Sequence, residues 1–458
     1  MGAMRRIVPF YLAAYGTSLM GNSITAIALP LLVLFTTGSP LGAGVVAMAA
    51  AVPAAVAGLL MGSLVDRFDR RGVAILADVI SALALLVLPI VHLTIGLELG
   101  WFIAAAILNS FGDVPGITAR EAMLPAISRS ARMDTSRLIG VRESMSGVAL
   151  LIGPAVAGIL VAALQPVTVL WFTSGLAALA ALLTLVIPRW ATVAGAASAT
   201  ADDGARAADG EAPGAVGERS AGTAAGEAPA PSSIFAGLGV ILRAPLLRGL
   251  VLLQLVLAVV LAATQGMVVP VHFAFRGEPG LVGFVLSALA AGLLVGGGLF
   301  AVLGRRIPPR RWFLAGLVLV AAGVVVIALL GPTWSLFLGA AVIGLGGGSL
   351  NAVTGLAFIE NVLDSQRGRV LGAQNSLMTL VPAGGIGLAS VLIEAGGLPL
   401  ATAVLAGLWI LAALAGLLTP RLRRLGSPGS HPSPHGSRQD GPGSRPSPSP
   451  ATAPGRRS

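Results

Sequence analysis

The stretch "GSLVDRFDRR" (residues 62–71) is a dense cluster of charges in a chain that otherwise carries few of them. Five of the six residues from Asp66 to Arg71 are charged, whereas 10% of the 458-residue chain is charged. About twenty almost wholly apolar residues lie on each side of the cluster. This pattern is typical of a loop between two membrane-spanning helices, each of which needs about 20 apolar residues.

The overall composition predicts an integral membrane protein. The chain is 55% hydrophobic with a mean hydropathy of +0.90, and soluble proteins carry about 25% charged residues. There is no cysteine, which excludes disulfides and thiolate metal sites, and we expect neither a metal nor a cofactor. The Gly-rich "GLGGGS" (344–349) lies inside an apolar run, so it is no phosphate loop, and we expect no enzyme active site.

The apolar runs number six, then a break, then six more. They lie near 8–36, 41–65, 73–95, 99–119, 138–163, 166–188, 246–272, 281–303, 311–331, 333–358, 369–394 and 398–419. They are far longer than the strands of a membrane barrel, and they do not alternate. The sequence therefore predicts an all-α membrane fold with twelve transmembrane helices in two halves, residues 1–190 and 234–419.

The break between the halves has a different composition. Residues 191–233 are mostly Ala, Gly, Pro, Ser and acid, with almost nothing large and apolar to bury, so we predict a disordered linker. The tail, 420–458, has the same character. Residues 234–250 begin with a short amphipathic stretch, which predicts an interfacial helix leading into the seventh span.

The distribution of arginine predicts the orientation. All 29 basic residues are Arg, and with the N-terminus inside, only Arg276 falls in an outside loop. We therefore expect a multi-pass protein of a bacterial inner membrane, with both termini and the linker in the cytoplasm. The first run is too long for a secretory signal. The charge is scattered over many loops and does not form one basic face, which argues against nucleic-acid binding.

The two halves carry a weak internal repeat. Pro30 and Pro270 occupy matching places 240 residues apart, and Arg70 and Arg71 recur as Arg310 and Arg311. Two parallel six-span halves are the arrangement of a transporter whose site lies between them.

The charged loop resembles the signature of the major facilitator superfamily, roughly Gly-x-x-x-Asp-Arg-x-Gly-Arg-Arg. The matching positions are Gly62, Asp66, Arg67, Arg70 and Arg71. Asp69 stands where Gly is usual, which predicts a turn of different shape. Residues 37–83 are similar to the branch that contains macrolide-efflux and enterobactin-export permeases. "LLIGPAVAGIL" (150–160) resembles a fifth-span motif of exporters, in which Gly153 and Pro154 could bend the helix.

The loop residues are candidates for a conformational latch. Gly58, Gly62 and Asp66 are spaced four apart, so they share one face of the second span, and the glycines allow a neighbouring helix to approach. The resemblance implies that Asp66 caps the N-terminal end of the eleventh span. It also implies that Arg70 pairs with Asp113 of the fourth span, latching the cytoplasmic ends when the cavity opens outward. The alternative is a charged turn that only keeps its loop inside.

Few charged residues lie near or inside the spans. Asp78 or Asp113 could carry the proton of an antiporter, or both could pair with Arg70, Arg142 and neighbouring groups near the inner rim. We favour pairing, because both acids lie close to that rim. Arg142 and Glu143 open the fifth span, and we expect them to be structural and to face different neighbours.

Uncharged polar residues deep in the spans are candidates for a substrate cavity. They are Asn22, Thr25, Asn109, Gln254, Gln265, Asn351 and Thr354, with Gln374 and Asn375 in the eleventh span. The resemblance implies that the first, fourth, seventh and tenth spans line the path. Hydrogen bonds between helices are an equal alternative for each residue. We predict that His92 and His272 are interfacial and not a metal pair.

Together these features predict a secondary transporter that exports an amphipathic small molecule by alternating access, coupled to protons and acting as a monomer. A mostly apolar cavity suits such a cargo, whether a drug, a macrolide or a siderophore-like compound. The alternatives are an importer or lipid transporter of the same fold, and a membrane receptor or assembly protein that does not transport.

Overall fold

A computed structural model describes residues 2–67, 69–193, 238–304, 306–362 and 364–418, and in these ranges it is almost entirely helical. The first part contains α1 (Gly2–Thr37), α2 (Pro40–Arg67), α3 (Arg70–Thr94), α4 (Leu99–Ser130), α5 (Thr135–Ala163), α6 (Pro166–Val186) and the short α7 (Arg189–Val193). The second part contains α8 (Pro245–Ala263), a π-helical turn (Thr264–Val268), α9 (Val269–Phe275), α10 (Leu281–Leu303), α11 (Pro309–Ala328), α12 (Thr333–Asn361) and α13 (Asp364–Leu418).

The number of spans agrees with the sequence once α13 is divided. By length and composition, 11 continuous helical stretches of the described chain could cross a membrane. Helix α13 contains two helices that meet at Gly396 and Gly397, where the backbone is not helical. Gly397 has a φ of 76°, a conformation that suits glycine because it has no Cβ atom. The fold is therefore an all-α integral membrane bundle with twelve spans.

The helices on each side of the break pack chiefly among themselves. In the first part, α3 packs on α4 and α6, α2 packs on α4, and α1 packs on α5 and α6. In the second part, α12 packs on α10 and α11, and α8 packs on α13. Contacts between the two parts join α2 to α13 and α5 to α10, with a smaller contact of α1 on α9. Below, they are called the first and second halves.

The bundle has two different ends. The Arg-rich end carries the loops near residues 69–71, 131–134, 187–189 and 304–309, and the opposite end carries those near 38–39, 95–98 and 276–280. The halves contact each other closely toward the opposite end. A Cβ atom on Gly44 of α2 would overlap Ser390 of α13. A Cβ atom on Gly283 of α10 would overlap the Pro154 carbonyl oxygen of α5.

Within the second half, α10 and α12 touch backbone to backbone. A Cβ atom on Gly292 or Gly296 of α10 would strike the α12 backbone, and one on Gly344 or Gly348 of α12 would strike the α10 backbone. The absence of side chains at these four positions allows this close approach. The glycines at these positions therefore serve tight packing between α10 and α12.

Several predicted boundaries shift. Helix α7 extends to Val193, and Ala191 is fully buried, so the first three residues of the predicted 191–233 linker belong to the folded first half. Residues 194–233 and 420–458 lie outside the described residues. Residues 238–243 are helical and end at a break before Pro245. Ile241 in that stretch is buried against Leu247 and Val251, so it packs on protein.

The fourth span is longer than predicted. The run was expected to end at residue 119, but α4 continues to Ser130, which carries Arg120 and Arg129 out of the predicted loop and into the helix. Arg120 is almost fully buried, with 2% of its surface exposed. Its burial among α1, α3 and α4 is the starting point for the site.

Candidate functional site

A buried ion pair lies inside the first half. The Arg120 guanidinium on α4 is hydrogen-bonded to the Asp78 carboxylate on α3, and both side chains are buried. Arg120 also donates a hydrogen bond of 3.2 Å to the Ser18 hydroxyl on α1. The Tyr11 hydroxyl donates to the Arg120 carbonyl oxygen at 3.0 Å. One arginine thus joins three helices through its side chain and backbone.

Asp113, seven residues before Arg120 on α4, is bound by neutral groups. Its carboxylate accepts hydrogen bonds from the Ser81 hydroxyl at 3.2 Å and from the Asn109 amide at 2.8 Å. With its amide nitrogen turned toward Asp113, Asn22 of α1 donates to the carboxylate at 3.2 Å and to the Ser18 carbonyl at 3.3 Å. That orientation is assigned because it satisfies both the amide nitrogen and the oxygen. No cation pairs with Asp113 among the described residues.

A small cavity lies at the centre of this cluster. It has a volume of about 10 Å³, and its lining includes Ser18, Asn22, Asp78, Ser81, Asp113 and Arg120. About this much space is the least that one water molecule requires. Gly112 holds α3 and α4 together here, since a Cβ atom on it would overlap the Ser81 hydroxyl. The cavity can therefore hold at most about one water molecule and is far too small for an organic cargo.

The predicted pairing of Arg70 with Asp113 does not occur in this structure. Arg70 donates to the Ala122 carbonyl oxygen at 2.8 Å. Asp113 precedes Ala122 by nine residues on α4, which is about 13 Å along a helix. The helix register thus places Asp113 deep among α1 and α3 while Arg70 stays near the Arg-rich end. Arg71 donates to the Leu185 carbonyl at 2.7 Å, in the last turn of α6.

The rest of the predicted latch is outside the described side chains. The remaining latch residues are Gly58, Gly62, Asp66 and Arg67, and only their backbone, which continues α2, is described. Their role as a latch stays a prediction. Asp78 was expected to pair with Arg70, Arg142 or a neighbouring group near the inner rim, and its described ionic partner is Arg120.

A second charge cluster ties α5 to α1 and α4. The Arg142 guanidinium lies 3.1 Å from the Glu121 carboxylate and 2.5 Å from the Glu143 carboxylate. It also stands 5.6 Å from the centre of the Tyr15 ring, and the Tyr15 hydroxyl lies 2.8 Å from that of Ser146. The expectation that Arg142 and Glu143 face different neighbours is wrong, because the long arginine side chain reaches its own sequence neighbour.

The predicted cavity residues of the first half fall into two groups. Asn22 and Asn109 belong to the cluster around Asp113. Thr25 is 6% exposed, and its hydroxyl has no hydrogen-bond partner among the described residues.

In the second half, three amides from three helices meet. Gln374 of α13 donates to the Gln254 oxygen of α8 at 2.7 Å, and Gln254 donates to Asn351 of α12 at 3.5 Å. The Thr354 hydroxyl bonds the Leu350 carbonyl of its own helix at 2.8 Å. Gln265 lies in the π-helical turn. The structure thus joins Gln254 and Asn351 and leaves Gln265 and Thr354 apart from them.

The other candidates from the sequence are the predicted hinge in α5 and the two histidines. Gly153 faces Ser23 of α1, while the Pro154 carbonyl faces Gly283 of α10, so the predicted hinge lies in close packing on both sides. His92 is exposed. His272 is 6% exposed and meets the Phe273 ring edge-on at 5.2 Å, so it is a buried residue and not an interfacial one.

Two six-span halves in one membrane bundle are the arrangement found in secondary transporters. The chain belongs to the Major Facilitator Superfamily, whose family profile matches residues 11–278 and 251–451. The resemblance of the charged loop to that superfamily is thereby confirmed.

Two relatives of this chain are efflux proteins. The multidrug efflux pump Tap of Mycolicibacterium fortuitum is 31% identical over 408 residues, which cover 88% of this chain and 93% of that protein. Macrolide efflux protein A of Streptococcus pyogenes is 28% identical over 148 residues, 32% of this chain and 36% of that protein.

Solved structures share the fold at low sequence identity. The nucleoside transporter NupG aligns with a TM-score of 0.69 and 15% identity, over 91% of this chain and 98% of its own. The human organic anion transporter MFSD10 aligns with a TM-score of 0.57 and 17% identity, over 90% and 99%.

Proposed function

We propose that this protein is an efflux transporter that exports an amphipathic small molecule by alternating access, driven by inward flow of protons. The relatives named as efflux pumps support the direction of transport. The observation that carries the coupling is the state of Asp113, a carboxylate inside the bundle that accepts hydrogen bonds from neutral groups only.

Asp113 is the proton carrier in this proposal. A charge within a membrane bundle is costly unless it is paired, and Arg120 is already bonded to Asp78. A proton on Asp113 removes the unpaired charge. The partner groups Ser81 and Asn22 come from α3 and α1, so protonation changes the hydrogen bonds that hold three helices together. Proton binding and helix rearrangement are coupled through these bonds.

The cargo binds between the halves, with neutral amides of the second half as polar contacts. Gln254, Asn351 and Gln374 offer both donors and acceptors without charge, and Asn351 is exposed. Ion pairs among the described residues lie in the first half. In this proposal the first half binds the proton and the second half contacts the cargo. The Arg-rich end faces the cytoplasm, and the protein acts as a monomer.

The test uses proteoliposomes with an imposed pH gradient and two probes, ethidium and radiolabelled erythromycin. We expect the protein to accumulate at least one probe on the acidic side. Asp113→Asn should abolish gradient-driven accumulation while probe exchange without a gradient continues, because the helix contacts remain. Glu98→Gln, an exposed acid at the start of α4, is the matched control and should behave as the unmodified protein.

The outcomes separate the alternatives. Accumulation on the basic side would indicate an importer. Movement of a labelled phospholipid but of neither probe would indicate a lipid transporter, and movement of nothing would favour a receptor or assembly protein. Gradient-driven accumulation that survives in Asp113→Asn would remove Asp113 as the carrier.

A further inference from the structure

A groove between α1 and α5 is unused by the proposed transport mechanism. It has a volume of about 670 Å³ and lies in the part of both helices nearer the Arg-rich end. Its walls are mostly apolar or without side chains: Gly16, Met20, Gly140, Val141, Met145 and Val148. The Ser144 hydroxyl in its lining is bonded to the Gly140 carbonyl of its own helix at 2.8 Å.

The α5 wall of this groove faces the bilayer. It belongs to a stripe of exposed apolar side chains along α5: Val141 (39% exposed), Val148 (52%), Ile152 (46%) and Ile159 (53%). The stripe continues past Gly158, where α5 meets α10 and the halves are in contact. Ile159 lies about 100° around the helix from Gly158. A side chain exposed at this level therefore faces lipid and not the space between the halves.

At the level of the α10 contact, the opposite side of the same helix supports this assignment. Ala157 and Val161, on the other flank of Gly158, are buried in the main apolar core. Helix α5 thus has an inner flank, a contact edge to α10 and an outer flank. The α1–α5 groove is on the outer flank.

Arg137 is the charged residue in the lining of this groove, in the first turn of α5. Its side chain is exposed and has no hydrogen bond or ion pair with any described residue. The preceding acid, Asp134, accepts hydrogen bonds from the Ser136 amide at 3.0 Å and from the Ser136 hydroxyl at 2.8 Å. A cation at a helix N-terminus gains nothing from the helix dipole. The groove therefore combines an apolar channel with an unpaired positive charge at its end.

We infer that the α1–α5 groove binds one anionic phospholipid of the leaflet at the Arg-rich end, with its phosphate on Arg137 and an acyl chain along Val141, Met145 and Val148. A guanidinium matches phosphate oxygens with paired hydrogen bonds, and basic pockets between membrane helices bind anionic headgroups. Arg137 and Val148 are separated by about 16 Å along the helix, about half of a ~30 Å hydrocarbon core. This is the depth that one leaflet provides.

The methionine side chains adapt the groove to a flexible chain. Met20 and Met145 lie on opposite walls, and the Met145 Cε atom fills the space that a Cβ atom on Gly16 would need. Unbranched thioether side chains change shape easily, so the wall follows whichever acyl chain enters. Charge selects the headgroup, and the groove does not select a particular chain.

The absence of native cysteine permits a direct test in liposomes. A bimane fluorophore is attached to Ile152→Cys, one turn beyond the groove on the same stripe. Its quenching is measured with phosphatidylglycerol or phosphatidylcholine that carries a nitroxide on the acyl chain. We expect several-fold stronger quenching by phosphatidylglycerol. A label on Ile159→Cys, farther from Arg137, should show no such preference.

Charge variants decide whether Arg137 is responsible. In Arg137→Gln the two lipids should quench the Ile152→Cys label equally, and Arg137→Lys should keep part of the preference. Arg310→Gln removes one charge from the second half at the same end and should change nothing. Any one of four results would overturn the inference. They are equal quenching by the two lipids while Arg137 is present, a preference that survives in Arg137→Gln, loss of the preference in Arg310→Gln, and no quenching by either lipid.

Discussion

Asp78 of α3 and Arg120 of α4 form an ion pair in which the two residues are 4% and 2% exposed. Each charge in this pair is enclosed by protein, so each depends on the other. A buried pair contributes little beyond what apolar residues of the same size provide, but removing one partner leaves an unpaired charge in a medium of low dielectric constant.

Loss of either partner alone should destabilise the protein. We expect Asp78→Asn or Arg120→Met to lower the free energy of unfolding by about 3–5 kcal/mol, the range seen when one half of a buried pair is removed. The double variant Asp78→Leu with Arg120→Met should lose less than either single variant. Thermal unfolding in detergent measures the difference, with Glu98→Gln as the control. A double variant that loses the sum of the two single losses would contradict the interpretation.

The contact between α5 and α10 should control opening at the end opposite the Arg-rich loops. Gly158→Leu places a side chain where the α10 backbone lies, so the helices must separate there. Spin labels on Leu164→Cys and Glu278→Cys should report a longer distance in this variant. Gly297→Leu is the control, since nothing lies within 4 Å of its Cβ position. An unchanged distance in Gly158→Leu would show that this contact does not hold the end closed.

The predicted latch at the Arg-rich end gives an independent test. A carboxylate at a helix N-terminus contributes about 0.3–1 kcal/mol when exposed and up to ~2 kcal/mol when partly buried. Asp66→Asn should therefore shift the population toward the inward-open state by up to roughly thirtyfold, without unfolding the protein. Distances between spin labels at the Arg-rich ends of α2 and α13 measure the shift. Unchanged distances together with unchanged transport would reduce the charged loop to a topological signal.

Orientation can be tested with reporters that are active only outside the cytoplasm. A reporter inserted near Gly214 or fused after Ser458 should stay silent, because the arginine distribution places both points inside. The same reporter in the loop at Gly277 should be active and serves as the control. Activity near Gly214 would reverse the proposed orientation and, with it, the assignment of the Arg-rich end.

The apolar runs predicted the fold well, because a membrane span imposes its length on the sequence. Ten of the runs correspond to separate helices, and the last two appear as the two parts of α13, joined at Gly396 and Gly397. The same logic failed at the fourth span. Its end was placed at the first arginine, although a buried arginine with an acid partner continues a helix without interruption.

The cluster of charged residues around Arg120 could have been predicted in part from the sequence. Asp113 and Arg120 are seven residues apart, a spacing that puts both on one face of a helix, and this signal was missed. The partner of Arg120 could not be identified in the same way. Asp78 belongs to another helix, and the rotation of α3 against α4 depends on packing at Gly112, which no spacing within either segment specifies.

The glycine contact between α10 and α12 has a mechanical consequence. Helices whose backbones touch at Gly292, Gly296, Gly344 and Gly348 have no layer of side chains between them that could deform, so we expect the pair to move as one rigid lever. One arm of this lever, α10, bears on α5 at Gly283. The other, α12, carries Asn351 three residues beyond Gly348. We therefore expect separation of α5 from α10 to displace the Asn351 amide, which contacts the cargo in the proposed mechanism, without bending either helix.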